Sequence, residues 1–388
     1  MQENSVELEI DKIASGGSGV GRFEGRAVFV AGTCPGDRIT ARIVEEHESW
    51  NKAELTGVLR AGEDRVEAEC PWYGNCGGCT LQQLSYAGQL DAKKLLVSDA
   101  LMRIGGIQNA RIGDIVPSRP YAYRNRMQLH RVNQPKKNES SVGLKRRSDN
   151  QVLSLDFCPV ADPVIQEAML EKKLFAPPWT DRFHVFGHGA MLLIEGGQDE
   201  RGIIRIRGRD LILDVRNFFQ SNVAVLETLI EDVMRFAKEA PADGRALDLY
   251  CGVGTFGAFL SAHFSRLDMV ENDKESIALA RENVRGPGIR HLALSDNEWV
   301  RRAESREEPY AFILVDPPRT GLSAALRLAL IERKPNLIAY VSCDPATLAR
   351  DTKELLAGGF VLESCTAYDF YPQTAHIESL ALFRSGVR

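Results

Sequence analysis

Leu337-Ile338-Ala339-Tyr340-Val341-Ser342-Cys343-Asp344-Pro345 is an apolar run that breaks at a turn carrying a thiol. Five consecutive apolar residues suit a strand buried on both faces, and the stretch that follows, Ala346–Ala357, has helical spacing. A strand-to-helix turn at the carboxyl edge of a parallel sheet is where α/β folds place reacting groups, so Cys343 is a candidate nucleophile. Outward from this point, strands and helices alternate from Val223 to Phe383. Val223–Glu239 reads as a helix and Ala246–Tyr250 as a buried strand. A glycine-rich turn, Cys251–Gly257, leads into a helix through Ala262. Leu267–Val270, Ile289–Leu294, Ala311–Val315 and Leu337–Val341 read as the next strands. The alternation predicts βαβ units, hence a Rossmann-like α/β domain with a mostly parallel sheet.

The amino-terminal half reads differently. Val6–Ile10, Ala27–Val30, Ile39–Ile43 and Ala53–Val58 have the length of short strands, separated by turn signals at Gly16-Gly17-Ser18-Gly19 and Pro35-Gly36-Asp37. Four or five strands in so short a stretch predict a small β-barrel. This segment resembles the TRAM domain, an OB-like RNA-binding module, in its glycine-rich turn followed by Gly21-Arg22 and in its Pro35-Gly36-Asp37 turn. Leu81–Ile104 has helical spacing, and Ala190–Ile194 and Gly202–Arg207 read as strands joined by the Gly196-Gly197-Gln198-Asp199 turn.

Three domains are therefore expected: residues 1–60 as the OB-like barrel, 61–215 as an α+β central domain, and 216–388 as the α/β domain. The chain of 388 residues carries a net charge of −5, which argues against indiscriminate binding to polyanions. Local charge is another matter, since ten Lys/Arg face three Asp/Glu between Arg111 and Asn150. Within that segment Tyr121–Arg131 interleaves aromatic and basic residues. Tyr123, Arg124, Arg126 and Arg131 are accordingly candidates for stacking on bases and pairing with phosphates. Gln134–Ser141 reads as a loop. No apolar leader follows Met1, and no stretch is apolar enough to span a membrane, so a cytoplasmic protein without a membrane partner is expected.

Eight cysteines in such a chain argue for metal or catalytic use over disulfides. Cys70, Cys76 and Cys79 cluster in a glycine-rich segment that can wrap around one centre, and Cys158, the next cysteine and followed by Pro159, is the fourth candidate ligand. Four thiolates suit a [4Fe–4S] cluster or a structural zinc; the uneven spacing favours iron–sulfur. Cys34, Cys251 and Cys365 read as small core residues.

In Asp248-Leu249-Tyr250-Cys251-Gly252-Val253-Gly254-Thr255-Phe256-Gly257, a GxG turn follows a strand but lacks the third glycine of the dinucleotide fingerprint. Glu271, at the end of the next strand, is placed to accept from both hydroxyls of a ribose, and Asp296, after the third, from an adenine amino group. A phosphate-free adenosine ligand fits, and S-adenosylmethionine is the common one. Asp316-Pro317-Pro318-Arg319 ends the strand beside that of Cys343. Its first three residues match methyltransferases acting on exocyclic amines, but Arg319 stands where those carry an aromatic residue.

Phe218-Phe219-Gln220, Asp248–Phe256, Asp316–Arg319, the run Ser342–Asp351 and His376-Ile377-Glu378-Ser379, in this order and with the four cysteines and the TRAM-like start, resemble the RNA 5-methyluridine methyltransferase family. The resemblance implies a class I methyltransferase domain that moves a methyl group from S-adenosylmethionine to uracil C5. It implies that Cys343 adds to C6, that Glu378 removes the C5 proton, with His376 as the neighbouring alternative, and that Asp316 orients the ring. Gln220, Tyr250, Gly252, Gly254, Thr255, Glu271, Asp296 and Asp316 would surround the cofactor; Tyr250 and Thr255 stand where relatives often carry Phe and Asn. The four-cysteine set points to the iron–sulfur branch acting on 23S ribosomal RNA, hence to rRNA processing by a monomer, with a transfer-RNA uracil-C5 methyltransferase as the alternative. A non-catalytic RNA-binding or chaperone protein would need none of Cys343, Glu378 and Asp316.

Overall fold

The computed structural model describes residues 5–108, 112–133, 141–302 and 309–386. The expected loop Gln134–Ser141 lies outside them except for Ser141, as does Arg111. The chain opens with β1 (Ser5–Ile13), β2 (Gly19–Phe23), β3 (Arg26–Val30), β4 (Arg38–Glu46) and β5 (Trp50–Arg60). They close a barrel in the order β1-β2-β3-β5-β4. Along β1 exposed and buried residues alternate, so Val6, Leu8 and Ile10 point inward with Val28, Val30, Ile39, Ala41 and Ala53. The sequence reading placed a turn where β2 begins, because its glycines hide the alternation. Gly21 is needed there: a Cβ would stand 2.1 Å from the Glu9 carbonyl oxygen on β1.

Helix α1 (Tyr86–Arg103) begins later than its apolar spacing predicts, because the Ser85 side chain accepts from the Gly88 amide and caps it. Leu81 and Leu84 instead form a small core with Ile13 and Cys34. α1 also departs from the expected division of the chain. Its Val97, Ala100 and Leu101 belong to the core on one face of the sheet formed by the last third of the chain, so the helix is part of that layer and not of the central sheet.

The central sheet follows. It consists of β6 (Arg126–Arg131), β7 (Val142–Lys145) and β8 (Val152–Ser154), then α2 (Pro163–Leu170), β9 (Arg182–His188) and β10 (Met191–Ile194), in the order β10-β9-β6-β7-β8. The two strands read around the Gly196–Asp199 turn do not pair with each other. β10 is an edge of the five-stranded sheet, whereas β11 (Arg201–Ile206) forms a hairpin with β12 (Arg209–Asp214).

The last unit runs through α3 (Val223–Ala237), β13 (Arg245–Leu249), α4 (Gly257–Leu260), β14 (Arg266–Glu271), α5 (Lys274–Asn283) and β15 (Ile289–Ala293). It continues with α6 (Asp296–Arg301), β16 (Phe312–Val315), α7 (Ala324–Arg333), β17 (Leu337–Ser342), α8 (Pro345–Ala357), β18 (Phe360–Tyr368) and β19 (Glu378–Ser385). The sheet order is β15-β14-β13-β16-β17-β19-β18. β13 to β17 are parallel, with β13, β16 and β17 fully buried at the centre, while β19 enters antiparallel between β17 and β18. The order reverses between β13 and β16, which opens a crevice at their carboxyl ends. Apolar cores cover both faces. No helix among the described residues is long and apolar enough to cross a membrane.

Candidate active site

The turn after β13 is built from left-handed backbone at Tyr250 (φ 66°), Gly252 (φ 53°) and Gly254 (φ 87°). A side chain at Gly254 would meet Met269, Ala280 and Val284 at 3.1–3.3 Å, so the turn packs directly onto β14 and α5. The Gly252 amide donates to Glu271 Oε2 at 3.1 Å, and Glu271 Oε1 accepts from the Asp273 amide at 2.8 Å. The Tyr250 hydroxyl donates to Asp296 Oδ2 at 3.0 Å. Tyr250, Gly252, Glu271 and Asp296 thus form one connected rim at the carboxyl edge. Gln220 is buried and its Oε1 has no partner, an acceptor in need of a donor. Thr255 is partly buried on the turn.

Below this rim is a concentration of acid. Burial pushes the Asp316 carboxyl up to about 7, with Glu271 adding to the shift. Asp248 rises to about 8 through burial and then through Asp316, and neither of its oxygens completes a hydrogen bond. Asp248 is a site residue that the sequence reading missed, although it opens the quoted turn. Its signal was a charged residue within an otherwise apolar strand. Three neighbouring carboxyl groups make a pocket suited to a cation.

Cys343 follows β17, in the turn that Asp344 stabilises by accepting from the amides of Ala346 and Thr347. Pairing of Ser342 with Ser379 across β17 and β19 brings Glu378, the first residue of β19, to the same edge. Glu378 is buried, and desolvation, then the charge of Asp316, push its carboxyl well above the usual range. The Cys343 thiol is pushed up to about 12 by burial, then by Glu378 and Asp316, with Arg319 opposing. Cys343, Glu378, Arg319, His376 and Tyr371 line one groove together with Arg124 and Phe218. His376 is exposed, but desolvation and Arg319 lower its pKa to about 4, so it is neutral near pH 7.

Packing corrects one of the RNA-contact expectations. Tyr123 is buried in the central core and its hydroxyl donates to the Pro372 carbonyl at 2.9 Å, so its ring cannot stack on a base. Arg131 is committed to the Pro177 and Thr180 carbonyls and to Asp181. Arg124 does face the groove, and Arg126 lies 5.8 Å from the centre of the Phe218 ring. Lys145, Arg146 and Arg147, counted in the basic segment but not singled out there, form the rim. Phe218 is 59% exposed on it, unusual for so large an apolar side chain and hence a candidate for contact with a base.

Cys70, Cys76, Cys79 and Cys158 line a second, apolar cavity with Trp72, Tyr73 and Phe157. Burial pushes Cys79 up to about 11 and Cys158 to about 12. Among the described residues no three Cys, His, Asp or Glu side chains are arranged as metal ligands. The donor chemistry nevertheless fits a soft metal centre: four thiols from two segments, with aromatic rings beside them and no carboxylate or imidazole among the lining residues. Cys34, Cys251 and Cys365 are buried.

Comparison with known proteins agrees with this layout. The family pattern described as tRNA (Uracil-5-)-methyltransferase matches residues 199–385, and the TRAM domain pattern matches residues 3–56. A protein of Treponema denticola described as an uncharacterized RNA methyltransferase is 30% identical, covering 99% of this chain and all of its own. The 23S rRNA (uracil(1939)-C(5))-methyltransferase RlmD of Shewanella sediminis is 27% identical over 97% of this chain and 95% of its own. Among solved structures, Pyrococcus abyssi tRNA (uracil-54, C5)-methyltransferase in complex with S-adenosyl-L-homocysteine superimposes with a TM-score of 0.73, covering 97% of this chain and all of that one at 24% identity. It has the same fold.

Proposed function

The chain belongs to the RNA (uracil-C5-)methyltransferase family, and from that premise we propose that it methylates C5 of a uridine in 23S ribosomal RNA, with Cys343 as nucleophile and Glu378 as base. The observation that carries this reading is the convergence of Cys343, Glu378 and Arg319 in one basic groove that adjoins the acidic pocket of Asp316. S-adenosylmethionine, held by Gln220, Tyr250, Gly252, Gly254, Thr255, Glu271, Asp296 and Asp316, supplies an electrophilic methyl group when bound. The remaining chemistry belongs to the chain.

Uracil C5 is a weak nucleophile. Addition of the Cys343 thiolate to C6 makes C5 an enolate carbon able to take the methyl group. Asp316 orients the ring, and Arg319 offsets negative charge beside the thiol. Glu378 then takes the C5 proton, and the C6–S bond breaks to return the thiolate. Burial favours the protonated forms of Cys343 and Glu378, and the positive charge of a bound sulfonium would favour their ionisation. Cys70, Cys76, Cys79 and Cys158 would hold a [4Fe–4S] cluster, or in its place zinc, which would tie residues 70–79 to Cys158. The barrel, residues 1–60, and the groove rim of the central unit, residues 61–215, take RNA phosphates, and residues 216–388 carry the chemistry.

The test uses RNA containing 5-fluorouridine, whose C5 fluorine cannot be removed as a proton. With S-adenosylmethionine present, the wild-type protein is expected to form a denaturation-stable adduct and Cys343→Ala none. An undiminished adduct in Cys343→Ala rules out this nucleophile. Mapping 5-methyluridine in cells lacking the protein decides the substrate: loss from transfer RNA in place of 23S rRNA corrects it.

A further inference from the structure

The four-cysteine cavity and the catalytic groove share a wall: Gly78, Arg124, Met127 and Leu144 line both. Arg124 is partly buried where it lines the groove, and no ion pair with a carboxylate is found for it among the described residues. Its Nε donates to the Arg126 carbonyl at 3.3 Å, and its guanidinium carbon lies 5.9 Å from the centre of the Tyr371 ring, which faces the groove. A desolvated cation without an anion beside it is costly. On one side its potential partners are Cys76, Cys79 and Cys158, which carry negative charge when they bind a metal; on the other they are phosphates in the groove.

A second connection runs through the backbone. The Gly77 amide donates to the Lys145 carbonyl at 2.9 Å, the Arg147 amide donates to the Asn75 carbonyl at 2.9 Å, and Cys76 forms a bridge with Arg146. The Arg147 guanidinium donates to the Cys79 carbonyl and lies 5.8 Å from the centre of the Tyr73 ring. The same turn that carries the ligands therefore holds the three cations of the rim.

We propose that the four-cysteine centre is the support of the RNA groove. Arg124 is a positioning residue, held over Tyr371 by anionic thiolates behind it, and the Cys76–Cys79 turn fixes Lys145, Arg146 and Arg147. Loading of the centre then sets affinity for RNA and leaves cofactor binding unchanged. This inference rests on the groove receiving RNA, as proposed above.

The test compares protein purified anaerobically with the centre loaded and the same protein stripped by a chelator. Affinity for a fluorescein-labelled stem–loop RNA with a uridine in its loop is measured by anisotropy across a salt series. Affinity for S-adenosylhomocysteine is measured by calorimetry. Stripping is expected to weaken RNA binding about tenfold and to flatten its salt dependence by about one phosphate contact, with the S-adenosylhomocysteine affinity kept within about twofold. Arg124→Gln, with metal content and visible spectrum retained, is expected to lose a similar factor, and stripping that variant should then weaken binding by less than about threefold. Arg124→Lys is expected to recover part of the loss.

Equal RNA affinity of loaded and stripped protein overturns the proposal, as does a full tenfold loss on stripping Arg124→Gln. So does a parallel loss of S-adenosylhomocysteine affinity, or a protein that carries no metal. If even the loaded protein fails to bind RNA, the groove's assignment to RNA falls instead.

Discussion

At the scale of single residues, the proposed mechanism asks Cys343 and Glu378 to lose protons that burial favours their keeping. Glu378 is the sharpest case, since burial and Asp316 both favour its neutral acid. With glutamine there, addition to C6 and methyl transfer remain possible while proton removal does not. Glu378→Gln is therefore expected to lower turnover by roughly 10²- to 10⁴-fold and to accumulate a Cys343-linked methylated uridine on ordinary RNA, visible by intact mass of the denatured protein. Free product without adduct would assign the base elsewhere, with His376 the neighbouring group.

Asp316 and Asp248 give a pH prediction. Both carboxyls are raised above the ordinary 3.8, to about 7 and about 8, so they stabilise the ligand-free fold at pH below the ordinary value and that contribution fades as pH rises through 7 to 8. A sulfonium favours the ionised carboxylates. S-adenosylmethionine should therefore bind more tightly as pH rises toward 8, by up to about tenfold per pH unit per proton released, and calorimetry in buffers of different ionisation heat should detect the protons. S-adenosylhomocysteine, without that charge, should show a flatter profile.

At the scale of elements, residues 369–378 form the strap that delivers Tyr371, His376 and Glu378, and α1 holds it. Lys93 and Asp369 form an ion pair with no side-chain exposure. The Tyr86 hydroxyl donates to the same aspartate at 3.0 Å. Gln89 and Gln373 bond reciprocally at 2.9 and 3.0 Å. Lys93→Ala leaves a buried carboxylate unpaired and is expected to cost roughly 3–5 kcal/mol in urea unfolding, whereas Lys93→Met with Asp369→Asn removes the charge and keeps an acceptor for Tyr86, and should recover most of it. Equal losses in both variants would show that packing, not charge, is at work. This strap marks the limit of what the sequence discloses. The parallel strands were legible because each is a short apolar run bounded by turn residues, and Cys343 and Glu271 because strand ends locate them. The insertion of β19 between β17 and β18 was not, since pairing order in a sheet leaves no local periodicity. Nor was the burial of Tyr123, just before β6: a residue type suited to stacking marks a candidate, but only the packing of other segments decides whether its ring meets solvent.

At the scale of the whole molecule, the barrel is joined to the catalytic strap. Ile13 and Cys34 from the barrel, Leu81, Leu84 and Ala92 from the next segment and α1, and Ala375 from the strap make one small apolar core. Polar contacts run alongside it: the Gln83 side chain donates to the Thr33 carbonyl at 3.0 Å, the Thr80 and Leu81 amides donate to the Gln373 carbonyl, and the Thr80 hydroxyl accepts from the Ala375 amide. An RNA-binding barrel on a free tether would search for phosphates independently of the catalytic unit. One packed in this way holds them at a fixed offset from Cys343, which suits extraction of one base from a folded RNA, because contacts made elsewhere on that RNA offset the few kcal/mol of unstacking. Leu84 is 1% exposed at the centre of this junction. Leu84→Ala is expected to cost roughly 2–5 kcal/mol, and the loss should reach both partners. Hydrogen–deuterium exchange should quicken together in β1, β4 and residues 371–376, and methyl transfer to a structured RNA should fall more than transfer to an unpaired oligonucleotide. Faster exchange confined to the barrel, with both substrates affected alike, would mean that the barrel and the strap are energetically independent in spite of their contact.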